Sequence, residues 1–555
     1  MNFKVVFFTL FIVSHAVANA KEAAVAMPDR FSADVAANIL TQGGNAVDAA
    51  IAAQFVLAVT LPEAGNIGGG GFMLVRHNGN NDFIDYREKA PLLADKDMYL
   101  DENGEVIANK SVYGIFASGV PGTVSGMWLA HQRYANLSWE TLLQPAIDLA
   151  QQGFVVPDKL AENVHNYIQK INSRNLDVNF ADYFAHLKAG DVFKQPELAA
   201  TLRRIQQQGL DGFYKGQTAD HIVKFMNQHG GLINHQDLTQ YQAVVRTPIN
   251  QPWRNFQVLS SPPPSSGGIA IIQWLKMYDK VTESGKKPKH NDSVYMHLLA
   301  EAGKRVFADR ARYLGDPDFY PVPTSKLLAP DYIAQRAQGI SRAQISATEA
   351  IKPGLNESEE TTHFSIIDAW GNAVANTTTI NLSFGSGMVV EGAGFLLNDE
   401  MDDLSAKPGV ANVFGALGGR ANEIEPEKRP LSSMTPTMLL KDGKVFMVTG
   451  SPGGTTIISS VYQSLLNVVD YNMSAEQAVN TPRFHHQLWP KDVIRHHPGI
   501  KEEVKDALSK MGYSMVERRF GDMHVIISKE GKLDAGSERS GRGKSLVIKV
   551  DVKDK

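Results

Sequence analysis

Several stretches of the chain collect residue types that can do chemistry. Thr361-Thr362-His363-Phe364-Ser365 places three hydroxyls and an imidazole just after the polar run Asn356-Glu357-Ser358-Glu359-Glu360. The chain contains no cysteine, so disulfides, thiolate zinc sites and a cysteine nucleophile are excluded, and a nucleophile has to be Ser, Thr, Lys or a carboxylate. On composition alone the threonines read as ordinary strand residues. Asp399, Glu400, Asp402 and Asp403 crowd oxygens into five positions, but without the spacing of a calcium loop, and no metal is expected there. Gly68 to Gly71 suggest a phosphate cradle, yet no Gly-Lys-Ser/Thr follows and no helix pattern begins there, which argues against a nucleotide loop. Pro452-Gly453-Gly454, read alone, is a turn.

These residues need elements to hold them. Residues 32–59 read as two Ala-rich helices broken at Gly43-Gly44. The glycine run leads into a hairpin, residues 72–75 and 83–86, turning at Asn78-Gly79-Asn80. Residues 135–240 and 285–350 are mainly helical in pattern, with Pro262 to Gly268 as a rigid loop between a strand and an apolar helix. After Pro353 strand signals dominate: residues 361–367 and 373–380 around Trp370-Gly371-Asn372, then 434–440 and 445–449 around Lys441-Asp442-Gly443-Lys444. Helices resume at 455–468 and 474–479. Helices, paired strands and helices again predict stacked layers with antiparallel sheets inside.

The 555 residues are 43% hydrophobic and 21% charged, with a net charge of -4. That composition supports a large buried core. No basic field favours nucleic acid or anionic lipid, and a small-molecule site is the better expectation. Lys4, the apolar residues 5–13 and Ala18-Asn19-Ala20 read as an export signal over residues 1–20, cleaved to expose Lys21. The apolar run is far shorter than the roughly 20 residues that span a bilayer, so no stable membrane anchor is expected and the mature protein is periplasmic or secreted.

The chemical stretches keep particular company. Thr379-Ile380-Asn381, Asn398-Asp399-Glu400-Met401-Asp402-Asp403, Pro430-Leu431-Ser432-Ser433-Met434 and Gly450-Ser451-Pro452-Gly453-Gly454 follow the threonine pair in order. Gly43-Gly44-Asn45-Ala46-Val47-Asp48-Ala49-Ala50, the glycine run and Asp85-Tyr86-Arg87-Glu88 precede it. In this set of motifs, from about residue 25 onward, the sequence closely resembles the gamma-glutamyltranspeptidase (glutathione hydrolase) family of N-terminal-nucleophile hydrolases. The resemblance implies an α+β fold, the four-layer αββα sandwich. It also implies self-cleavage between Glu360 and Thr361, giving a large subunit, 21–360, and a small catalytic subunit, 361–555, that form a heterodimer.

The resemblance further assigns roles. Thr361 is the nucleophile and Thr379 the threonine whose hydroxyl orients it, although strand alternation by itself does not separate Thr361 from Thr362. Gly453 and Gly454 supply the oxyanion hole. Arg87 grips the donor's alpha-carboxylate, a group a guanidinium can hold bidentately, assisted by Ser432 and Ser433. Asn381, Glu400 and Asp403 accept from its alpha-ammonium. The implied reaction moves the gamma-glutamyl group of glutathione or another gamma-glutamyl amide to water or to an amino acid or dipeptide acceptor, with no cofactor. Phe414 stands where bacterial relatives commonly have a lid tyrosine, and it lacks the hydroxyl that would bond Asn381. Rival readings are a glutaryl-type beta-lactam acylase of the same fold and an exported binding protein with a dead site. The retained ammonium acceptors argue against the first and the complete catalytic set against the second.

Overall fold

A computed structural model of the chain describes residues 19–283, 287–351, 361–407 and 419–552. Its centre is two antiparallel sheets laid face to face. The first runs, edge to edge, Lys544–Val552, Asn19–Met27, Thr362–Ile367, Ala373–Thr379, Gly70–His77, Asn80–Asp85 and Val244–Arg246. The second runs Lys532–Ser537, His524–Lys529, Lys444–Gly450, Thr437–Lys441, Phe256–Ser260 and Ile249–Trp253. Helices cover both outer faces, which makes the four layers of an αββα sandwich.

Alternation along the strands sorts side chains into the layers. In Thr362–Ile367, Phe364 and Ile366 join the core beneath one helical layer, whereas Ile367 joins the core shared with the second sheet and its helices. The same split separates Met73 and Val75 from Phe72 and Leu74. Both faces are therefore dry, and the central strands read as near-continuous apolar or small-residue runs.

The first helical layer is built on Arg30–Thr41 and Ala46–Thr60, split at Gly43-Gly44 as the sequence pattern predicts. Every residue of Ala46–Thr60 is buried. Its alanines let neighbouring backbones approach closely, and Asn45 and Asp48 close its N-terminus as a capping box. On the other side Gly267–Thr282, Ser293–Tyr313 and Thr456–Val469 pack over the second sheet.

The hairpins at Gly70–Asp85 and Thr437–Gly450 stand where the pattern places them, except that the second starts at Thr437 and not at 434. Met434 and its neighbours instead form an extended loop whose carbonyls are bonded by Ser261 and Ser265. The terminal strands carry no comparable signal: Asn19–Met27 and Lys544–Val552 pair along nine residues each, burying one edge of the first sheet's central strands. Among the described residues no helix is long and apolar enough to cross a membrane.

Candidate active site

Thr361 immediately precedes the central strand Thr362–Ile367. Its neighbour pairs Thr362 with Thr378 and His363 with Thr377, so the same register carried one residue further sets Thr361 opposite Thr379. Alternation gives Thr361 and Thr379 the face of His363 and Thr377, between the sheets. Thr362 and Thr378 take the opposite face, where Thr378 Oγ1 donates to Gly70 O and accepts from Asn66 and Gln54. The ambiguity within the threonine pair is thereby narrowed: Thr361, not Thr362, shares its face with Thr379. Thr379 Oγ1 accepts the Asn381 N–H at 2.7 Å.

His363 is a spacer and not a base. Its Nδ1 lies 2.8 Å from Thr377 Oγ1 and its Nε2 3.1 Å from Ser365 Oγ. Ser365 donates its only proton to His524 O, so it must accept from Nε2–H, and Nδ1 then accepts from Thr377. Burial, reinforced by the neighbouring His524, holds the ring's pKa well below the ordinary value. Gly450 is required beneath it, because a Cβ there would stand 2.2 Å from His363 Cε1.

Gly453 and Gly454 precede the helix Thr456–Val469. Their carbonyls accept from Thr456 and Ile457, whereas neither of their N–H groups bonds an acceptor among the described residues. Both glycines have positive φ, 124° and 54°. Free N–H groups at a helix N-terminus form a site for negative charge, and Gly453 lines the same cavity of about 350 Å³ as Thr361.

Arg87 is 1% exposed. Its Nη1 pairs with Glu400 and its Nη2 with Asp403 at 2.5 Å, while Nε donates to Pro430 O at 3.2 Å. Glu88 approaches at 3.5 Å. One guanidinium thus faces three carboxylates, and burial outweighs its attraction. The Glu88 carboxyl is pushed up to about 7, with Arg87 opposing, and Glu400 is also raised well above the carboxylate range. Asn398 fixes this acidic turn to the glycine run, donating to Gly68 O and Gly119 O while accepting from Glu400 N. Gly68 has no room for a side chain, since a Cβ would meet Leu396 O at 2.1 Å. The run is thus a packing device.

The remaining expected residues surround this cluster unevenly. Asn381, at φ 73°, donates from Nδ2 to Asp399 O at 2.9 Å. Ser433 Oγ accepts from Arg310 at 3.1 Å, and Ser432 Oγ caps Met434 N. Arg87 does not line the cavity that Thr361 lines; the Arg87 cluster is closed on itself, apart from the open cavity at Thr361. Phe414 and Glu360 lie outside the described residues. The sequence motifs contain Glu88 and Asn398 but assign neither a role, although adjacency to Arg87 and Glu400 could have signalled one. They leave out Arg519 and Asp522 at the cavity, whose loop no local pattern connects to residue 361.

Two facing sheets between helical layers, with a threonine at the head of a central strand beside unused backbone N–H groups, define the N-terminal-nucleophile hydrolase class. Within it, the gamma-glutamyltranspeptidase family model matches residues 32–548, and the chain belongs to that family. It is 52% identical over 530 residues to the glutathione hydrolase proenzyme of Pseudomonas aeruginosa, covering 95% of this chain and 94% of that one. It is 44% identical to the Escherichia coli glutathione hydrolase proenzyme, covering 94% and 90%. Among solved structures, a cephalosporin acylase from Bacillus halodurans superposes with a TM-score of 0.83 at 25% identity, over 95% of this chain and 96% of that one. The gamma-glutamyltranspeptidase of Pseudomonas nitroreducens complexed with L-DON is 52% identical, with a TM-score of 0.57 over 59% of this chain and 96% of its own.

Proposed function

We propose that the chain is a glutathione hydrolase and gamma-glutamyltransferase that first cuts its own Glu360–Thr361 bond and then works through the exposed threonine. The observation that carries this reading is the placement of Thr361 on the inter-sheet face opposite Thr379, in one cavity with Gly453. In the first step Thr361 Oγ attacks the carbonyl of Glu360, and hydrolysis of the resulting ester separates residues 21–360 from 361–555, which stay together as a heterodimer. The strands argue for that association: Asn19–Met27 lies between Lys544–Val552 and Thr362–Ile367 in one sheet.

Cleavage frees the Thr361 alpha-amine, whose ordinary pKa of about 7.7 to 8.0 leaves a neutral fraction able to take the hydroxyl proton. Attack on a gamma-glutamyl amide then gives a tetrahedral oxyanion facing the Gly453 and Gly454 N–H groups. Collapse expels the amine and leaves a threonyl ester, which water or an amine acceptor resolves.

The Arg87 cluster supports a donor that bears both a carboxylate and an ammonium. Arg87 already holds carboxylates, those of Glu400 and Asp403. A donor carboxylate that takes their place on the guanidinium releases them to accept from the donor ammonium, so charge is conserved in the exchange. A glutaryl donor would strand those carboxylates, and this disfavours the beta-lactam acylase reading despite the shared fold. Ser432, Ser433 and Asn381 complete the proposed donor pocket.

The export signal at 1–20 supports a periplasmic or secreted enzyme. Intact mass of wild type and Thr361→Ala, beside release from a gamma-glutamyl anilide, tests the reading. Wild type splits before Thr361 and is active while the variant stays whole and inert; a whole but active wild type overturns it.

A further inference from the structure

The cavity in front of Thr361 carries more charge than chemistry at the threonine uses. Its walls bring Lys159, Arg519 and Arg542 against Glu63 and Asp522. Arg542 is committed to Glu63, in an ion pair that is nearly buried. Lys159 reaches Glu162 at 3.0 Å on exposed surface, a contact that water and salt easily replace. Arg519 is exposed and has no hydrogen bond or ion pair among the described residues.

Asp522 offers the complementary group. Its Oδ1 is buried with no hydrogen-bond partner among the described residues, and its Oδ2 lies 3.6 Å from His524 Nε2. Gly541 makes its position possible, because a Cβ there would fall 2.5 Å from both carboxylate oxygens. A guanidinium without a partner and the part-exposed carboxylate of Asp522 therefore share one cavity with Thr361. Its volume, about 350 Å³, lies in the range of small-ligand sites.

We propose that this cavity seats the acceptor, and that Arg519 selects acceptors bearing a free C-terminal carboxylate. Arg519, backed by Lys159, binds the carboxylate of an amino acid or dipeptide, and the Asp522 carboxylate accepts a hydrogen bond from its amine through its exposed edge. The proposal rests on the transferase reading above. In the step it serves, the acceptor enters as the free amine, and its nitrogen forms a C–N bond to the gamma-carbonyl. The C–Oγ bond to Thr361 breaks, and the proton shed by nitrogen ends on Thr361 Oγ. The departing amine of a peptide donor occupies the same seat in the reverse sense.

The test uses processed, purified enzyme with gamma-glutamyl-p-nitroanilide as donor, and compares glycylglycine with glycylglycinamide as acceptors. In Arg519→Gln the KM for glycylglycine rises about tenfold or more, while that for the amide moves less than about twofold. Arg519→Lys recovers part of the loss because charge is retained. Intact mass and thermal midpoint confirm that each variant folds and is cut. Equal rises for both acceptors, or none for either, overturn the carboxylate subsite. A wild type that releases no nitroanilide overturns the transferase reading and the subsite with it.

Discussion

Arg87 Nη2 and Asp403 Oδ2 stand 2.5 Å apart across 316 residues of sequence, in an ion pair that ties the segment leaving the strand Asn80–Asp85 to the acidic turn. Because Glu400 and Glu88 crowd the same guanidinium, Arg87 neutralises a buried anionic cluster as well as serving the proposed donor. Arg87→Ala is therefore expected to cost about 3–5 kcal/mol of stability, the usual consequence of leaving buried charge uncompensated. Arg87→Lys keeps a cation, loses less stability and still raises the donor KM, because the second hydrogen bond is gone. Denaturant unfolding of both changes in a Thr361→Ala background separates stability from processing. An Arg87→Ala precursor as stable as its parent would show that the cluster needs no cation.

Glu88 gives the same cluster a pH signature. Burial raises its folded pKa from 4.5 to about 7, with Arg87 opposing. The folded state then holds the proton more tightly than the unfolded chain. Its contribution to stability is fully present below pH 4.5 and is lost as pH rises through about 7. Glu88→Gln stays neutral throughout, so the fall in unfolding free energy between pH 5.5 and 8 becomes shallower in that variant. An unchanged slope would mean that Glu88 ionises in both states alike.

Thr379 is expected to act on Thr361 through orientation. Thr379→Val removes the hydroxyl from the position opposite the nucleophile and slows self-cleavage on the order of 100-fold, the scale of a misplaced reactive group. Thr379→Ser keeps the hydroxyl and most of the rate. Cleavage is followed by intact mass against time after refolding. Equal rates for Val and Ser would reduce Thr379 to strand packing.

Legibility in the sequence followed how local each signal was. The helices at Arg30–Thr41 and Ala46–Thr60, and the hairpin after the glycine run, carry their periods and turn residues within a few positions. The strands Asn19–Met27 and Lys544–Val552 find each other only across the whole chain, and their Lys- and Glu-bearing outer positions mask the period. The roles proposed for Thr361, Arg87, Asp403 and Gly453 come from motif resemblance, since no periodicity sets a nucleophilic threonine apart from a strand threonine. The ion pairing of Arg87 with Glu400 and Asp403 was not legible, because it depends on two loops meeting in space. Nor was the approach of Arg519 and Asp522 to Thr361.

Gly453 offers the sharpest test of the proposed oxyanion site. Its φ of 124° is strained for any residue with a side chain. An added Cβ would also stand 2.3 Å from Thr456 Oγ1, the group that donates to Gly453 O at 2.6 Å. Gly453→Ala must therefore rotate the turn that aims the Gly453 and Gly454 N–H groups, and loss of one such donor costs about 100- to 1000-fold in turnover. The substrate KM should change far less than kcat, because the carbonyl gains its charge only in the transition state. Thr456→Ala made in the same chain relieves the contact but not the backbone strain, so the double variant recovers only part of kcat. Steady-state kinetics on the anilide decides it. Full turnover in Gly453→Ala would remove this glycine from the oxyanion site, and full recovery in the double variant would assign the loss to the Thr456 contact alone.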